Sequence, residues 1–564
     1  MSAERLALIE RHKDLIARAI EAVETRKSWS PFKDSPSTKI HGPEKPVAGK
    51  AAFEARLGNR FDLGQPGVTH WVGEEVSPYT QEPLGITYPV SDAQALIAAA
   101  SQAMPAWIKA DPELRMALCA EMAVRLYDRN FEMAQAVMHV AGQSYTQAFS
   151  GSGPNALDRG IEALAYAAQA IRAVTRRAAY HRDFAGEAVA LDKTYTLQPR
   201  GIGLVICCAS FPTWNAYPAM FASLATGNPV IVKPHPIAVL PMAIVVETCR
   251  DVLREYGFDP NLVTLAVDTL AEPVAGKFVD DPAVQIIDFT GSPRYGGHLE
   301  RTVTGKLLFT ETAGVNSIVV ESVESLADSA RAIARATCLF SAQMCTSPQV
   351  VYVPRDGIRT RDGHATFDEV AAAIVAEIDA IAGNPAQASA IMGAVQGKVS
   401  LDVVRETRAA ADAHKLAVLR EATPYEHPQF PNARTMTPLV LAVSPEHQNL
   451  YAEERFGPVL FIVADANGDA AVAEATELAK TRGAISCYLY STDEDFIDRS
   501  VELYARAGAN LSINLTGAMW INFAAAYSDY HVTGLNPAGN ACLTDIAFVA
   551  SRFRIVQRRR PIAA

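Results

Sequence analysis

The sequence has no Cys-x-x-Cys pair and no excess of basic residues. Its eight cysteines are scattered along 564 residues, which gives neither a disulfide framework nor the spacing of a structural zinc site. Lys and Arg number 51 against 62 Asp and Glu, a formal net charge of −11, whereas a nucleic-acid-binding domain needs a basic face. We therefore expect no metal and no nucleic-acid partner.

We also expect no membrane span and no secretion signal. Charged residues occur from Glu4 onward, which is not typical of a signal peptide. Residues 201–232 contain no charge, but three prolines and the pair Gly227 and Asn228 would break a continuous membrane helix. We interpret this segment as buried strands and a helix and expect no membrane partner. The scattered cysteines fit a reducing cytoplasm, which would keep a reactive thiol free.

What the chain does contain is an alternation of strand and helix patterns. Across residues 202–300, apolar runs that predict strands alternate with helical stretches such as 242–255. The predicted strands are 204–208, 230–232, 262–267 and 284–289. Such an alternation predicts an α/β fold, with helices on both faces of a parallel sheet.

A second alternation of this kind covers residues 311–515. Its predicted strands are 317–321, 350–353, 439–443, 459–463 and 484–490, and its predicted helices are 325–338 and 366–382. The chain is long enough for two or three domains with large cores. The second alternation therefore predicts a separate α/β domain.

Several segments predict additions to these two domains. Residues 3–25 place apolar side chains at helical spacing, which predicts an amphipathic helix that packs on the protein's own surface; a partner-binding helix is the alternative. Residues 31–50 hold four prolines and predict an irregular linker, and residues 112–140 predict one helix. Alternating apolar and polar residues predict a strand at 188–198, and a last strand is predicted at 547–557.

Cys345 is the candidate nucleophile. A lone cysteine in an apolar setting is more often a small core residue, but its neighbours along the chain favour a reactive thiol. Glu311 lies 34 residues upstream, Asn215 lies further upstream, and Gly291 begins a possible phosphate loop. A thiol, a carboxylate, an amide side chain and a glycine-bounded loop are the parts needed to oxidise an aldehyde through a thioester.

In their order along the chain, six motifs resemble those of the NAD(P)-dependent aldehyde dehydrogenase superfamily. They are Phe-Pro-Thr-Trp-Asn at 211–215, Gly-Asn-Pro-Val-Ile-Val-Lys-Pro at 227–234, Phe-Thr-Gly-Ser at 289–292, Glu-Thr-Ala-Gly at 311–314, Gln-Met-Cys-Thr at 343–346 and Glu-Glu-Arg-Phe-Gly-Pro at 453–458. The long N-terminal extension and the first motif look most like the PaaN-type aldehyde dehydrogenases of phenylacetic acid degradation.

The resemblance implies an aldehyde dehydrogenase-like α/β fold, with a Rossmann-type cofactor domain, an α/β catalytic domain and a β-strand oligomerisation arm. The expected parts are an N-terminal helical extension and linker at 1–52, the NAD(P)-binding domain at 53–187 and 199–310, the catalytic domain at 311–519, and the arm at 188–198 and 520–564. Because such arms pair subunits in the family, a homodimer or homotetramer is expected.

Three residues match the family's catalytic positions. The resemblance makes Cys345 the nucleophile, Asn215 a donor to the developing oxyanion and Glu311 the general base that activates water. From the residues alone, Asn215 could instead cap a helix, and Glu311 could be a surface or capping carboxylate. The thiol needs a lowered pKa or a proton acceptor, for which the bound cofactor and a helix N-terminus are candidates.

The phosphate loop of the cofactor site follows from the same resemblance. Gly291, Ser292 and Gly296 match the family's Gly-Ser-x-x-x-Gly loop. Glycine lets the backbone approach the pyrophosphate, and the N-terminus of the helix that follows favours its negative charge.

Three further residues match positions that hold the two riboses. Lys233 matches the lysine at the adenosine ribose, Glu454 matches the carboxylate at the nicotinamide ribose, and Phe456 matches the aromatic ring beside it. The alternative for Lys233 and Glu454 is an exposed side chain in a surface salt bridge.

We expect NADP to be preferred over NAD as the cofactor. In NAD-preferring relatives, a glutamate three residues after the ribose lysine binds the ribose and would repel a 2′-phosphate. Here that position is Pro236, so the repulsion is absent. Lys233, together with His235 when protonated, would then face the phosphate.

These features predict an enzyme that oxidises an aldehyde to a free carboxylic acid. The PaaN-type resemblance implies a semialdehyde from aromatic-ring breakdown, free or carried as a coenzyme A thioester. The alternatives are a CoA-acylating aldehyde dehydrogenase or acyl-CoA reductase, against which Glu311 argues, and a catalytically silent scaffold, against which the complete catalytic set argues. Residues 524–536 depart from the Pro-Phe-Gly-Gly run that helps to line the substrate tunnel in the family.

Overall fold

A five-stranded parallel sheet forms the centre of the first half of the computed structural model, which describes residues 2–518 and 522–563. Its strand order is Val263–Leu265, Val230–Lys233, Ile202–Ile206, Val284–Thr290 and Leu307–Glu311. The predicted parallel sheet is confirmed. The strand predicted at 262–267 is shorter than expected, and Leu307–Glu311 was not predicted.

A seven-stranded sheet forms the centre of the second half. Its strand order is Ala417–Arg420, Leu439–Val443, Val459–Asp465, Val350–Pro354, Ser317–Val320, Ser486–Tyr490 and Asn510–Ile513. Only Ala417–Arg420 runs antiparallel to its neighbour. All five predicted strands are present, whereas the two edge strands were not predicted.

A three-stranded antiparallel sheet forms an arm beside the first unit. The strand predicted at 188–198 is confirmed as Glu187–Pro199, which lies between Arg177–Phe184 and Phe553–Pro561. The prediction of a strand at 547–557 is wrong in its bounds. Residues Ile546–Ala550 form a helix because the Asp545 side chain accepts from the backbone of that helix, and the strand begins after it.

Two small sheets and the helices complete the described residues. One sheet pairs Val68–Val72 with Tyr88–Ser91, and the other contains Ser322–Val323, Ile358–Thr360 and Gly363–Ala365. The α-helices are Ala3–Thr25, Thr38–His41, Glu44–Glu54, Ala93–Lys109, Pro112–Asp128, Asn130–Ala141, Tyr145–Ser150, Pro154–Arg172, Ala216–Ala225, Leu240–Glu255, Ala275–Val279, Pro293–Thr302, Leu326–Cys338, Phe367–Ala382, Pro385–Met392, Lys398–His414, Gln448–Tyr451, Gly468–Arg482, Glu494–Arg506 and Ile546–Ala550. Short 3₁₀ turns occur at Pro260–Leu262, Leu339–Ala342 and Pro445–His447.

The N-terminal extension is more regular than its prolines suggested. The helix Ala3–Thr25 is confirmed and buries Leu8, Ile20 and Val23 in the core of the first unit, so it packs on the protein's own surface. The prediction of an irregular linker at 31–50 is wrong, because the segment contains Thr38–His41 and most of Glu44–Glu54. Prolines in a first helical turn break no hydrogen bond, since those N–H groups have no partner within the helix.

The single helix predicted at 112–140 is wrong as well. The segment forms two helices, Pro112–Asp128 and Asn130–Ala141, that meet at Arg129. No glycine or proline marks the break. The buried side chain of Asn130 donates to the carbonyl of Phe149, so a tertiary contact turns the chain here.

The uncharged segment 201–232 forms buried strands and a helix, as predicted. It contains Ile202–Ile206, Ala216–Ala225 and the start of Val230–Lys233. Among the helices of the described residues, none is long and apolar enough to cross a membrane.

Candidate active site

The candidate residues gather at the carboxyl ends of parallel strands. Lys233 and Glu311 are each the last residue of a strand in the first sheet, and Thr290 is the last residue of the strand Val284–Thr290 in the same sheet. The carboxyl edge of such a sheet is where ligands bind in open α/β folds. The local order of strand and motif therefore brings these side chains to one cavity.

Asn215 and Glu311 are in direct contact. Nδ2 of Asn215 donates to Oε1 of Glu311 at 2.8 Å and to Oγ1 of Thr290 at 3.1 Å. Asn215 precedes the helix Ala216–Ala225, but its side chain makes no capping hydrogen bond, so the capping alternative is wrong. Glu311 is fully buried, which contradicts the surface alternative.

Cys345 follows a strained turn. Phe340, Ser341 and Ala342 have φ values of 51°, 50° and 52°, a left-handed conformation that costs free energy in residues other than glycine. Asn316 donates to the carbonyl of Cys345 at 2.7 Å and fixes the chain after the turn. Backbone strain of this kind persists where the surrounding structure holds it in place, often at active sites.

The thiol of Cys345 lies in a cavity, in an environment that opposes its ionisation. Burial raises the pKa of Cys345 well above its usual value, and the neighbouring Glu311 raises that pKa further. The described protein groups therefore raise the thiol pKa, whereas the reaction needs either a lowered pKa or a proton acceptor. The other seven cysteines have no carboxylate partner at matching spacing, which predicts core residues. That prediction is wrong for Cys208 and Cys542, which are partly exposed; Cys208 also lines this cavity.

His531 is the residue of this site that sequence reasoning missed. Its Nε2 lies 3.1 Å from Oε1 of Glu311 and 3.7 Å from Sγ of Cys345. Cys345, Glu311 and His531 also form the only group of potential metal ligands found among the described residues, with ligand atoms within 4.8 Å of one another. The sequence pointed to this residue only through a departure: residues 524–536, which include His531, do not follow the family's Pro-Phe-Gly-Gly run.

The cavity contains an unexpected carboxylate beside Lys233. Lys233 is buried, and its Nζ lies 2.6 Å from Oδ1 of Asp268, which is 4% exposed. This burial contradicts the alternative in which Lys233 is an exposed side chain in a surface salt bridge. Burial, with a smaller effect of Lys233, lowers the pKa of His235 to about 4, so His235 is neutral at physiological pH and the expectation of a protonated helper is wrong.

The predicted phosphate loop precedes a helix of suitable length. Ser292 caps Pro293–Thr302, accepting from Tyr295 N at 3.4 Å, and the helix N-terminus opens toward the cavity. A Cβ on Gly291 would lie 2.7 Å from the Phe289 ring, and a Cβ on Gly296 would lie 2.6 Å from the Thr312 side chain. Both glycines are required for this close packing.

Glu454 and Phe456 line the same cavity from the second unit. Burial raises the pKa of Glu454 to about 8, and this carboxyl takes part in no ion pair among the described residues. The alternative of an exposed, salt-bridging Glu454 is therefore wrong. Its loop is fixed by Gln349, whose Nε2 donates to the carbonyl of Glu453 at 2.7 Å.

One continuous cavity of about 1250 Å³ contacts every predicted site residue except Gly296. Lys233, Asp268, the first turn of the helix that follows Ser292, Glu454 and Cys345 all line it. A cation, a helix N-terminus and a carboxylate are the groups that bind the riboses and the pyrophosphate of a pyridine dinucleotide. Apart from Lys233, the buried Oδ1 of Asp268 has no hydrogen-bond partner among the described residues.

Comparisons with known proteins show the family of this chain. The family model for the aldehyde dehydrogenase family matches residues 71–523. A solved NAD-dependent aldehyde dehydrogenase from Burkholderia multivorans is 45% identical, with a TM-score of 0.96 over 99% of each chain. A 1-pyrroline-5-carboxylate dehydrogenase of Bacillus pumilus is 25% identical over 87% of this chain and 92% of its own. An N-succinylglutamate 5-semialdehyde dehydrogenase of Pseudomonas fluorescens is 25% identical over 79% and 86%.

Proposed function

Because the chain belongs to the aldehyde dehydrogenase family, we propose that it oxidises an aldehyde to the carboxylic acid through a thioester on Cys345. The observation that carries this proposal is that Asn215, Glu311 and Cys345 line one cavity, with Asn215 bonded to Glu311 and Sγ of Cys345 within 4.8 Å of the Glu311 carboxylate. When bound, the nicotinamide accepts the hydride. The protein supplies the nucleophile, the oxyanion donor and the base.

In the first half-reaction, Sγ of Cys345 attacks the aldehyde carbon, and negative charge develops on the aldehyde oxygen. The Nδ2 of Asn215 and the backbone N–H of Cys345 are the donors for that charge. Removal of one such donor typically costs about 10²–10³ in kcat. In the free protein Nδ2 of Asn215 is bonded to Glu311, so the amide is held at the site before substrate arrives.

In the second half-reaction, Glu311 takes a proton from the water that hydrolyses the thioester. Its carboxylate is fully buried and is oriented by Asn215 and His531. A buried base next to the thioester favours water as the acyl acceptor, because activation of a thiol acceptor such as coenzyme A needs no such carboxylate. We therefore propose a free acid product.

We propose NAD rather than NADP as the preferred cofactor, which reverses the preference expected from the sequence. Pro236 stands where NAD-preferring relatives have a glutamate, so that carboxylate is absent. However, the carboxylate of Asp268 lies 2.6 Å from Nζ of Lys233. A 2′-phosphate would meet this buried anion, whereas a ribose hydroxyl could donate to it. The name of the 45% identical relative, an NAD-dependent enzyme, agrees with this preference.

The proposed substrate is an aldehyde from aromatic-ring breakdown that carries no free carboxylate near the aldehyde. The substrate end of the cavity is lined by Phe211, Trp214 and Phe523. Among the described lining residues, Lys233 at the other end is the only Lys or Arg, and Asp34 adds a negative charge. A free anionic semialdehyde would lack a cationic partner, whereas a semialdehyde whose acid is a coenzyme A thioester brings no such charge.

The antiparallel arm supports a homodimer or homotetramer. Its outer strands, Arg177–Phe184 and Phe553–Pro561, are largely exposed, and Phe184, Ile555 and Val556 present apolar side chains. Exposed strand edges of this length pair readily with another chain.

The cysteines are all free, so we place the enzyme in a reducing compartment, the cytoplasm.

The test is cofactor reduction with a panel of aromatic and aliphatic aldehydes, including semialdehydes as free acids and as thioesters, with and without coenzyme A. We expect turnover without coenzyme A and none in Cys345→Ala, which should keep its fold and its cofactor binding. Activity of Cys345→Ala within tenfold of the parent would place the nucleophile elsewhere. Strict dependence on coenzyme A would favour acyl transfer.

A further inference from the structure

His531 is a buried imidazole in contact with both reacting groups, and no motif assigned it a role. Its Nε2 lies 3.1 Å from Oε1 of Glu311 and 3.7 Å from Sγ of Cys345, and the residue is 4% exposed. The other ring nitrogen, Nδ1, has no hydrogen-bond partner among the described residues. All polar interactions of the ring with protein groups at this site therefore pass through Nε2.

The site holds an electrostatic conflict that an imidazole at this position resolves. The chemistry needs Cys345 as a thiolate when it attacks and Glu311 as a carboxylate when it takes a proton from water. Two neighbouring anions oppose each other's ionisation. Burial and the charge of Glu311 both raise the pKa of Cys345, so the conflict is present in the free protein.

Other charged groups around the thiol do not relieve this conflict. Glu454 and the thiol of Cys208 also raise the pKa of Cys345. Among the described residues, His531 is the only basic side chain within ion-pair distance of Glu311. Lys233, the one lysine that lines the cavity, is already paired with Asp268.

We propose that His531 is a catalytic residue that holds the thiol proton during the reaction, an inference that rests on the proposed function. As Sγ of Cys345 attacks the aldehyde carbon, the S–H bond breaks and an N–H bond forms at Nε2. The sulfur electron pair forms the S–C bond, and the carbonyl π pair moves onto the oxygen held by Asn215. The imidazolium then donates to the carboxylate of Glu311, a charge-assisted hydrogen bond.

The same proton returns to sulfur in the second half-reaction. Glu311 takes one proton from water, and the hydroxide attacks the thioester carbon. When the tetrahedral adduct collapses, the S–C bond breaks and the departing thiolate takes back its proton from Nε2 of His531. The site regains a neutral thiol and a neutral imidazole, and the proton on Glu311 passes to solvent.

The N-terminal extension holds the segment that carries His531. Arg26 donates to the carbonyl of Tyr527 at 2.9 Å, and its guanidinium lies 3.7 Å from the ring centroid of Tyr530. On the other side, Asn510 donates to the carbonyl of His531 at 2.8 Å. The imidazole is thus fixed from two directions, as a group that must meet a reacting atom requires.

The first test measures the reactivity of the thiol without cofactor. Iodoacetamide alkylation of Cys345 is followed by peptide mass spectrometry from neutral to alkaline pH in the parent, in His531→Gln and in His139→Gln. His139 is a matched control, since it is buried but does not line the cavity. We expect His531→Gln to lose about tenfold or more of the alkylation rate at neutral pH, equal to an upward shift of about one pKa unit, and the control to match the parent.

The second test measures catalysis in rapid-mixing and steady-state assays. Because a positioned acid–base group typically contributes about 10²–10⁴-fold, His531→Gln should slow both the burst and the turnover by about 100-fold. Glu311→Gln should keep its burst, so the two residues are distinguishable. Circular dichroism, nucleotide titration and a second variant, His531→Asn, separate lost chemistry from lost folding.

The outcomes also separate this inference from the proposed function. Folded His531→Gln with alkylation and turnover within threefold of the parent overturns the role of His531, while inactivity of Cys345→Ala would leave the thioester reaction standing. If neither variant folds, the alkylation rate of the parent as a function of pH still tests the proposal. A reactive thiol at neutral pH supports the proposal, and a single rise of reactivity at alkaline pH overturns it.

Discussion

Asp268→Asn should shift cofactor preference from NAD toward NADP. Oδ1 of Asp268 lies 2.6 Å from Nζ of Lys233, and Oδ2 accepts from the backbone N–H of Val274 at 3.0 Å. The amide oxygen of asparagine can keep the hydrogen bond from Val274, while its Nδ2 then faces Nζ of Lys233 and the ion pair is lost. The substitution therefore removes the charge and preserves the loop.

The magnitude follows from the charge that a 2′-phosphate would meet. Two unit charges about 4 Å apart interact by about 4 kcal/mol at an effective dielectric constant near 20, and a tenfold change in affinity is about 1.4 kcal/mol. Lys233 compensates part of this repulsion. We expect Asp268→Asn to bind NADP about 30-fold more tightly. NAD should bind about tenfold more weakly, because a hydrogen bond to a charged acceptor is worth about 1.5–3 kcal/mol.

The assay is a fluorescence titration of the cofactor-free protein with NAD and with NADP, followed by kcat/KM for both with one good aldehyde. Asp280→Asn is the control, since Asp280 is exposed and does not line the cavity, and it should leave both Kd values unchanged. A parent that prefers NADP tenfold or more would refute the role of Asp268. So would an Asp268→Asn variant whose ratio of Kd values moves by less than twofold.

Three further predictions concern the base, the second ribose and the arm. Glu311→Gln should form the acyl-enzyme and release one equivalent of reduced cofactor in a rapid-mixing burst, then stall; normal steady-state turnover would exclude Glu311 as the base. Burial raises the pKa of Glu454 to about 8, so its carboxylate form increases as pH rises through that value; nucleotide affinity should increase over the same range, and Glu454→Gln should flatten the profile. A flat profile in the parent would contradict that role. Light scattering at micromolar concentration should give a dimer or tetramer mass, because the outer strands of the arm are exposed edges, and a monomer mass would contradict the prediction.

The central strands were predictable because a strand that is buried on both faces consists of a continuous run of apolar residues. The strand Leu439–Val443 has the bounds that its pattern predicted, and it lies inside its sheet. The edge strands Ala417–Arg420 and Asn510–Ile513 were missed, because most of their side chains are only partly buried and the pattern is mixed. Edge position is a property of the assembled sheet, which a local run of residues does not record.

The motif residues were predictable for a related reason. Lys233 and Glu311 each end a strand, and the carboxyl ends of parallel strands meet at one edge. The roles of Asp268 and His531 were not predictable in this way. His531 is 186 residues from Cys345 in the chain, and Asp268 comes from a loop that carries no motif.

Sequence patterns established which elements form and which reactive groups are available, since apolar periodicity and motif order are local properties of the chain. The folded molecule established which groups act on one another. The carboxylate absent at Pro236 is replaced from another loop by Asp268, and an imidazole from the C-terminal segment lies beside Cys345 and Glu311. The physical reason is that charge interaction and proton transfer depend on separations of a few ångströms in space, which the packing of distant segments sets.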